Sequence, residues 1–212
     1  MKKYELTTET LQFAGRTLHR IKAVKDFDSI KAGEFGGWIE NEKNLSQDDN
    51  AWIYGNAMVF DNAKVYGNAK VYGNANVSGN ANVSDYANVS DYANVFGNAN
   101  VSGYAEVYGN AEVYDYANVS DYAKVYGNAV IKGDAIVHDA VDYIVFKNFW
   151  SSGRYFTWTS SNNKWSVGCF YGTSEELIKK AYADSEKSGR EYERVVRYVE
   201  SILADEKKEK SN

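Results

Sequence analysis

A chain of 212 residues with 24 Lys and Arg against 29 Asp and Glu has no surplus of cations to displace counterions from a polyphosphate, so direct nucleic-acid binding is disfavoured. No stretch reaches the roughly 18 apolar residues of a membrane helix, and Met1-Lys2-Lys3-Tyr4-Glu5 leads into no apolar segment, so neither a span nor a leader is expected and the cytoplasm is the expected compartment. The lone Cys169 rules out an internal disulfide and a multi-thiolate metal site; it reads as a buried strand residue.

In chain order, Tyr4 to Leu6, Leu11 to Phe13 and Thr17 to Val24 read as short strands, with Ala14-Gly15-Arg16 as a turn. Gly33-Glu34-Phe35-Gly36-Gly37-Trp38-Ile39 then leads to Leu45, six residues after Ile39 and six before Ala51. Residues 1–50 are therefore a β cap plus a first irregular coil. Gly36-Gly37 lacks the Lys-Ser/Thr and following helix of a phosphate loop and reads as a turn.

From Ala51 to residue 140 the chain consists of 15 hexapeptides without a gap, AWIYGN to AIVHDA. Alanine opens each one, Val or Ile stands third, and Gly or Asp stands fifth. Six matches neither a helix nor a hairpin meander, but it matches a solenoid with three flat sides and 18 residues per coil. The first and third residues share parity and point inward, while Gly, Asp and Asn supply the corners. The charge deficit lies here, with 4 basic and 9 acidic residues, against 8 and 9 before it and 12 and 11 after it.

Taking every third hexapeptide gives the outward ladders. One side shows Tyr54, Tyr72, Tyr108 and Tyr126, interrupted by Ser90; another shows Asn82, Asn100 and Asn118 beside Ser84, Ser102 and Ser120, with Tyr86, Tyr104 and Tyr122 at the adjoining corner. Such ladders hold coils together by amide bonds and ring stacking, and tyrosine-rich surfaces also suit binding. Asp85, Asp91, Asp115 and Asp121 at corners, with Glu106 and Glu112 on faces, would project a regular negative field.

After the repeat, residues 141–172 read as a three-stranded antiparallel sheet formed by Tyr143 to Phe149, Arg154 to Thr159 and Trp165 to Phe170. In residues 173–212, Thr173-Ser174-Glu175-Glu176 is a capping box opening a helix that Gly189 ends. A second helix carries Tyr192, Val195, Val196, Val199, Ile202 and Leu203 on one face, and a frayed tail begins at Asp205.

The [LIV]-x-x-x-A-x pattern, seen in Ile53 to Ala57 and onward, resembles the hexapeptide motif of the left-handed parallel β-helix family, which includes many acyltransferases. The resemblance implies a mainly β, left-handed coil, trimers or dimers, acyl-coenzyme A bound between prisms and a histidine general base. His138, with Asp139 beside it, is the best-placed candidate, although no loop leaves residues 51–140 to build a site around it. A carbonic anhydrase on this prism would need three histidines per zinc site, and only His19 and His138 exist; ice binding would need Thr rows, and the repeat has no Thr.

The whole arrangement, with GGWIE before the repeat and GCFYGTSEE after it, is similar to hexapeptide-repeat proteins of phages and prophages. That similarity implies action inside an infected bacterium. The reading favoured by the residues is a non-enzymatic protein without cofactor or metal whose acidic solenoid engages a host protein, for instance as a defence inhibitor. A trimeric acyltransferase and a structural scaffold are the alternatives.

Overall fold

The computed structural model describes residues 2–209, with side chains through residue 205. The chain divides into two compact units, Met1–Tyr143 and Ile144–Asn212.

The first unit is a three-sided parallel β-solenoid of about six turns. Fifteen two-residue strands, β4 to β18 in chain order, occupy the second and third residues of the hexapeptides, from Trp52–Ile53 to Ile136–Val137. Each pairs in parallel with the strand 18 residues away, Val77 with Val95 and Val95 with Val113, for example. Three sheets result, and their inner walls are the Ala and Val or Ile ladders, every one of which is fully buried. A coil is held to the next mainly by N–H groups of outward residues donating 17 residues ahead, as Asn82 does to Ala99 at 2.9 Å and Ser84 to Val101 at 2.9 Å. Burying a valine contributes on the order of 1.5 to 3 kcal/mol before entropy, so the coil core is stabilised by repetition rather than by any one residue.

The cap differs from the sequence reading. Tyr4–Leu6 and Leu11–Phe13 belong to one ten-residue strand, β1 (Tyr4–Phe13), paired antiparallel with β2 (Arg16–Ala23) through a register shift between Leu6 and Thr10. A bulge thus joins what the alternation had separated. Ala14 and Gly15, at φ 50° and 76°, make the expected turn. Gly36-Gly37 is not a turn: both lie inside β3 (Phe35–Ile39), which pairs with β2 and, in parallel, with β5 (Met58–Val59). A Cβ on Gly36 would stand 2.6 Å from Ile53 O, and one on Gly37 2.6 Å from Ala57 O, so two glycines let the cap strand approach the first coil. Ile39 and Leu45 are the inward residues of that coil.

Lys3 closes its underside. Only 1% exposed, its ammonium donates to the carbonyls of Asp49 and Ala51 at 2.8 Å each and lies 5.1 Å from the Phe27 ring centre. Burial lowers its pKa to about 8, against the upward pull of Asp49. An unfolded lysine keeps its proton to about 10.4, so between about 8 and 10 the unfolded chain binds more protons and stability rises with pH, by up to about 1.4 kcal/mol per unit. Beyond about 10 the sign reverses, because burial raises the Tyr4, Tyr114 and Tyr143 hydroxyls and stability present below their unfolded pKa is lost. Denaturant midpoints should rise from about pH 7.5 to 9 in the wild type and stay flat in Lys3→Met; a wild-type midpoint that does not rise refutes this.

The second unit contains a four-stranded sheet rather than three strands. It runs β19 (Tyr143–Lys147), β20 (Tyr155–Thr159), β21 (Lys164–Val167) and β22 (Phe170–Gly172) in order. Gly168, at φ 56°, and Cys169 turn what had looked like one strand back on itself, which leaves Cys169 exposed instead of buried. Two helices cover Phe156, Trp165 and Val167: α1 (Ser174–Asp184) and α2 (Glu186–Glu209). The Thr173 and Glu176 capping box opens α1 as expected. The break comes at extended Ser185, whose Oγ accepts the Ser188 N–H at 3.1 Å, and Gly189 lies inside α2. There a Cβ would stand 2.2 Å from the Tyr182 ring, so close packing of the two helices, not termination, calls for glycine. The helix continues past Asp205 to Glu209, where fraying had been expected; residues 210–212 of that tail lie outside the described residues.

Candidate functional site

The outward ladders are the natural place to look for a site, and most of their groups engage the equivalent residue of the next coil. Tyr86 and Tyr104 stack with ring centres 4.9 Å apart, Tyr104 and Tyr122 at 5.3 Å, and Tyr108 and Tyr126 at 5.3 Å, with interplanar angles of 4° to 12°. Asn82 donates to Asn100 at 3.1 Å. Tyr54 is half-buried and Tyr72 exposed at the far end of its column, separated from Tyr108 by the buried Ser90. Parallel rings give their faces to one another, so a ligand meets ring edges and hydroxyls.

A third column escaped the sequence reading. Phe60, Ser78, Phe96, Tyr114 and Lys132 follow at 18-residue spacing; Phe96 and Tyr114 stack at 4.5 Å and the Lys132 ammonium lies 5.5 Å from the Tyr114 ring centre. Burial, helped by Glu112 and Asp115, pushes the Tyr114 hydroxyl up to about 12. The signal was present: 12 of the 15 hexapeptides carry a Phe or Tyr at the fourth or the sixth residue, 11 of them one ring and AEVYDY both Tyr114 and Tyr116, and the column can be traced by slicing every third repeat.

The corner aspartates have a structural task. Asp61, Asp85, Asp91, Asp115 and Asp121 sit at φ 56° to 61°, a region that disfavours most side chains but suits Asp and Asn. The carboxylate of Asp85 accepts the Gly103 N–H at 3.1 Å, that of Asp91 the Gly109 N–H at 3.0 Å, and that of Asp115 the Gly133 N–H at 3.3 Å. Each stitches its own corner to the one above and keeps a second oxygen as acceptor. Of the two face glutamates, Glu106 pairs with Lys124 at 3.3 Å, while Glu112 lies between Asn94 and Val130 of adjacent strands.

His138 is exposed in the last hexapeptide. Its Nδ1 lies 2.8 Å from Ser120 Oγ and 2.9 Å from Asp121 Oδ2, so the carboxylate beside it is Asp121. Asp139 instead caps the 3₁₀ turn Ala140–Asp142, and Asp142 accepts the backbone N–H of His138 at 2.7 Å. Serine and aspartate converge on the same ring nitrogen. A relay from carboxylate through imidazole to a nucleophile uses opposite nitrogens, so this trio is not arranged as one. Nε2 remains for a general base. Among the described residues no group of three or more His, Cys, Asp or Glu could hold a metal ion.

The repeat family described as YdcK beta solenoid repeat matches residues 51–67 and 123–139. A protein of Escherichia coli (strain K12) named uncharacterized acetyltransferase YdcK is 39% identical over 62 residues, an overlap of 26% of this chain. The chain covers 19% of that relative's length. No helix is long and apolar enough to cross a membrane among the described residues.

Proposed function

We propose that this chain is a non-catalytic binding protein whose solenoid offers a rigid acidic surface to a basic patch on another protein. In the setting that the similarity to phage and prophage proteins implies, that patch belongs to a host protein. The supporting observation is the ladder geometry: stacked rings, amide rows and stitched aspartates hold outward groups in place across five coils. A surface ordered before binding loses little side-chain entropy on association. Edges of Tyr86, Tyr104 and Tyr122 supply contact area, and Asp85, Asp91, Glu106, Glu112, Asp115 and Asp121 supply the field.

Capture of host-lysate proteins should therefore occur at low salt, disappear at about 0.5 M salt, where charges are screened within a few ångströms, and fall about tenfold in a Glu106→Lys/Glu112→Lys chain. Capture that ignores both salt and charge reversal discards the proposal. A second reading, acyl transfer from acetyl-coenzyme A, draws on the printed name of the Escherichia coli relative and on exposed His138. It gives His138 Nε2 the role of base and Asp121 that of its orienting carboxylate.

A further inference from the structure

The second unit carries charge of the opposite sign on one helix face. With Tyr192, Val196 and Val199 of α2 buried, Lys187, Arg190, Arg194 and Arg197 recur at i, i+3, i+7 and i+10 and form one stripe away from the core. The Arg194 and Arg197 side chains are 72% and 65% exposed. Their ion pairs, to Glu191 at 2.8 Å and to Glu193 and Glu200 at 3.3 and 3.1 Å, are local to the helix, and the arginine ends face solvent, where such pairs contribute little and leave donors for a further acceptor. Beside the stripe, Tyr198 and Trp150 are 55% and 61% exposed and border a groove of about 360 Å³. Such a stripe fits a partner that brings carboxylates in a row with aromatic edges between them.

That partner chemistry is found on the chain's own repeat. Arg190 and Arg197 are seven residues apart, about 10.5 Å along a helix. Asp85 and Asp121 stand at the same corner two coils apart, about 9.6 Å at the spacing of paired strands. Along that corner run Tyr86, Tyr104 and Tyr122, exposed by 51%, 53% and 71%. The repeat holds the entire net deficit of charge.

We propose that chains associate head to tail, the Arg190, Arg194 and Arg197 stripe of one copy lying along the Asp85 to Asp121 corner of a second. Arginine forks engage the remaining carboxylate oxygens, and Tyr198 and Trp150 meet the tyrosine edges. The contact joins two different patches, so a pair of copies either closes reciprocally or leaves one corner and one stripe open for further copies. It uses the same corner as the basic partner proposed above and so competes with it, while purified chain alone tests self-association separately.

Sedimentation velocity on the full chain across a concentration series tests it. The expected result is mass that grows with concentration at low salt and returns to monomer at about 0.5 M salt. Arg190→Glu/Arg197→Glu and Asp85→Asn/Asp121→Asn should each be monomeric; Asn keeps the corner conformation and its acceptor. An equimolar mixture of the two variants should form a discrete dimer, since one supplies an intact corner and the other an intact helix. Wild type that stays monomeric at every concentration overturns the proposal. So does salt-dependent binding of a labelled single-stranded oligonucleotide by a monomeric chain, which would give the stripe to nucleic acid.

Discussion

Val95→Asp is expected to unfold the repeat. Val95 is fully buried in the middle of the solenoid, between Val77 and Val113 on the adjacent coils of its sheet. A carboxylate there meets alanine and valine walls, with no donor among them. Left charged it costs several kcal/mol; neutralised, it still buries an unpaired hydroxyl and carbonyl. An effect above about 4 kcal/mol is comparable with the whole net stability of a typical domain. The location adds to it, because each coil touches only its neighbours and a failed central coil leaves each half without one of its caps. Val95→Ala, which merely empties part of the site, should cost about 2 to 3 kcal/mol and remain folded. Circular dichroism and urea denaturation check both, and Val95→Asp within about 1 kcal/mol of wild type would show that this wall is not a dry core.

The corners make a less intuitive demand. Gly109, at φ 73°, is expected to tolerate Asn but not Ala. A Cβ at that residue would stand 3.0 Å from the Gly127 nitrogen and 3.2 Å from its oxygen, and alanine has nothing to offer the N–H it crowds. Positive φ adds about 1 to 2 kcal/mol for alanine, so the total should be about 2 to 4 kcal/mol. Asn brings the same Cβ together with an acceptor for the Gly127 N–H, the role that Asp91 plays one coil earlier toward Gly109. Its cost should stay below about 1 kcal/mol. Equal losses for Ala and Asn in urea unfolding would mean that the stitches from side chain to the next corner contribute nothing.

This rule also marks what the sequence could and could not reveal. The inward walls were legible because parity alone decides them: Ala51, Ile53 and their successors recur without exception, and the three-sided coil follows from a period of six. Asp91 was legible as a corner residue, but its task was not. Its negative charge follows from the sequence, but the N–H it accepts belongs to Gly109, 18 positions on, and only the coil brings the two together. His138 shows the same blindness in another form, since its neighbour in sequence, Asp139, caps a turn while its neighbour in space, Asp121, belongs to the previous coil. Outside the repeat, single glycines misled in both directions. Gly36-Gly37 and Gly189 serve close approach inside a strand and a helix, whereas Gly168 makes a turn in what had passed for one strand. A glycine is punctuation only when its neighbours in three dimensions leave room for a side chain.

If the outward groups of the solenoid only hold and present a surface, as proposed, acetyl-coenzyme A finds no site on it. Calorimetric titration with acetyl-coenzyme A measures this directly. At millimolar ligand no saturable heat is predicted for the wild type. Saturable heat that vanishes in His138→Ala would contradict a purely binding role and assign the last coil to acyl transfer.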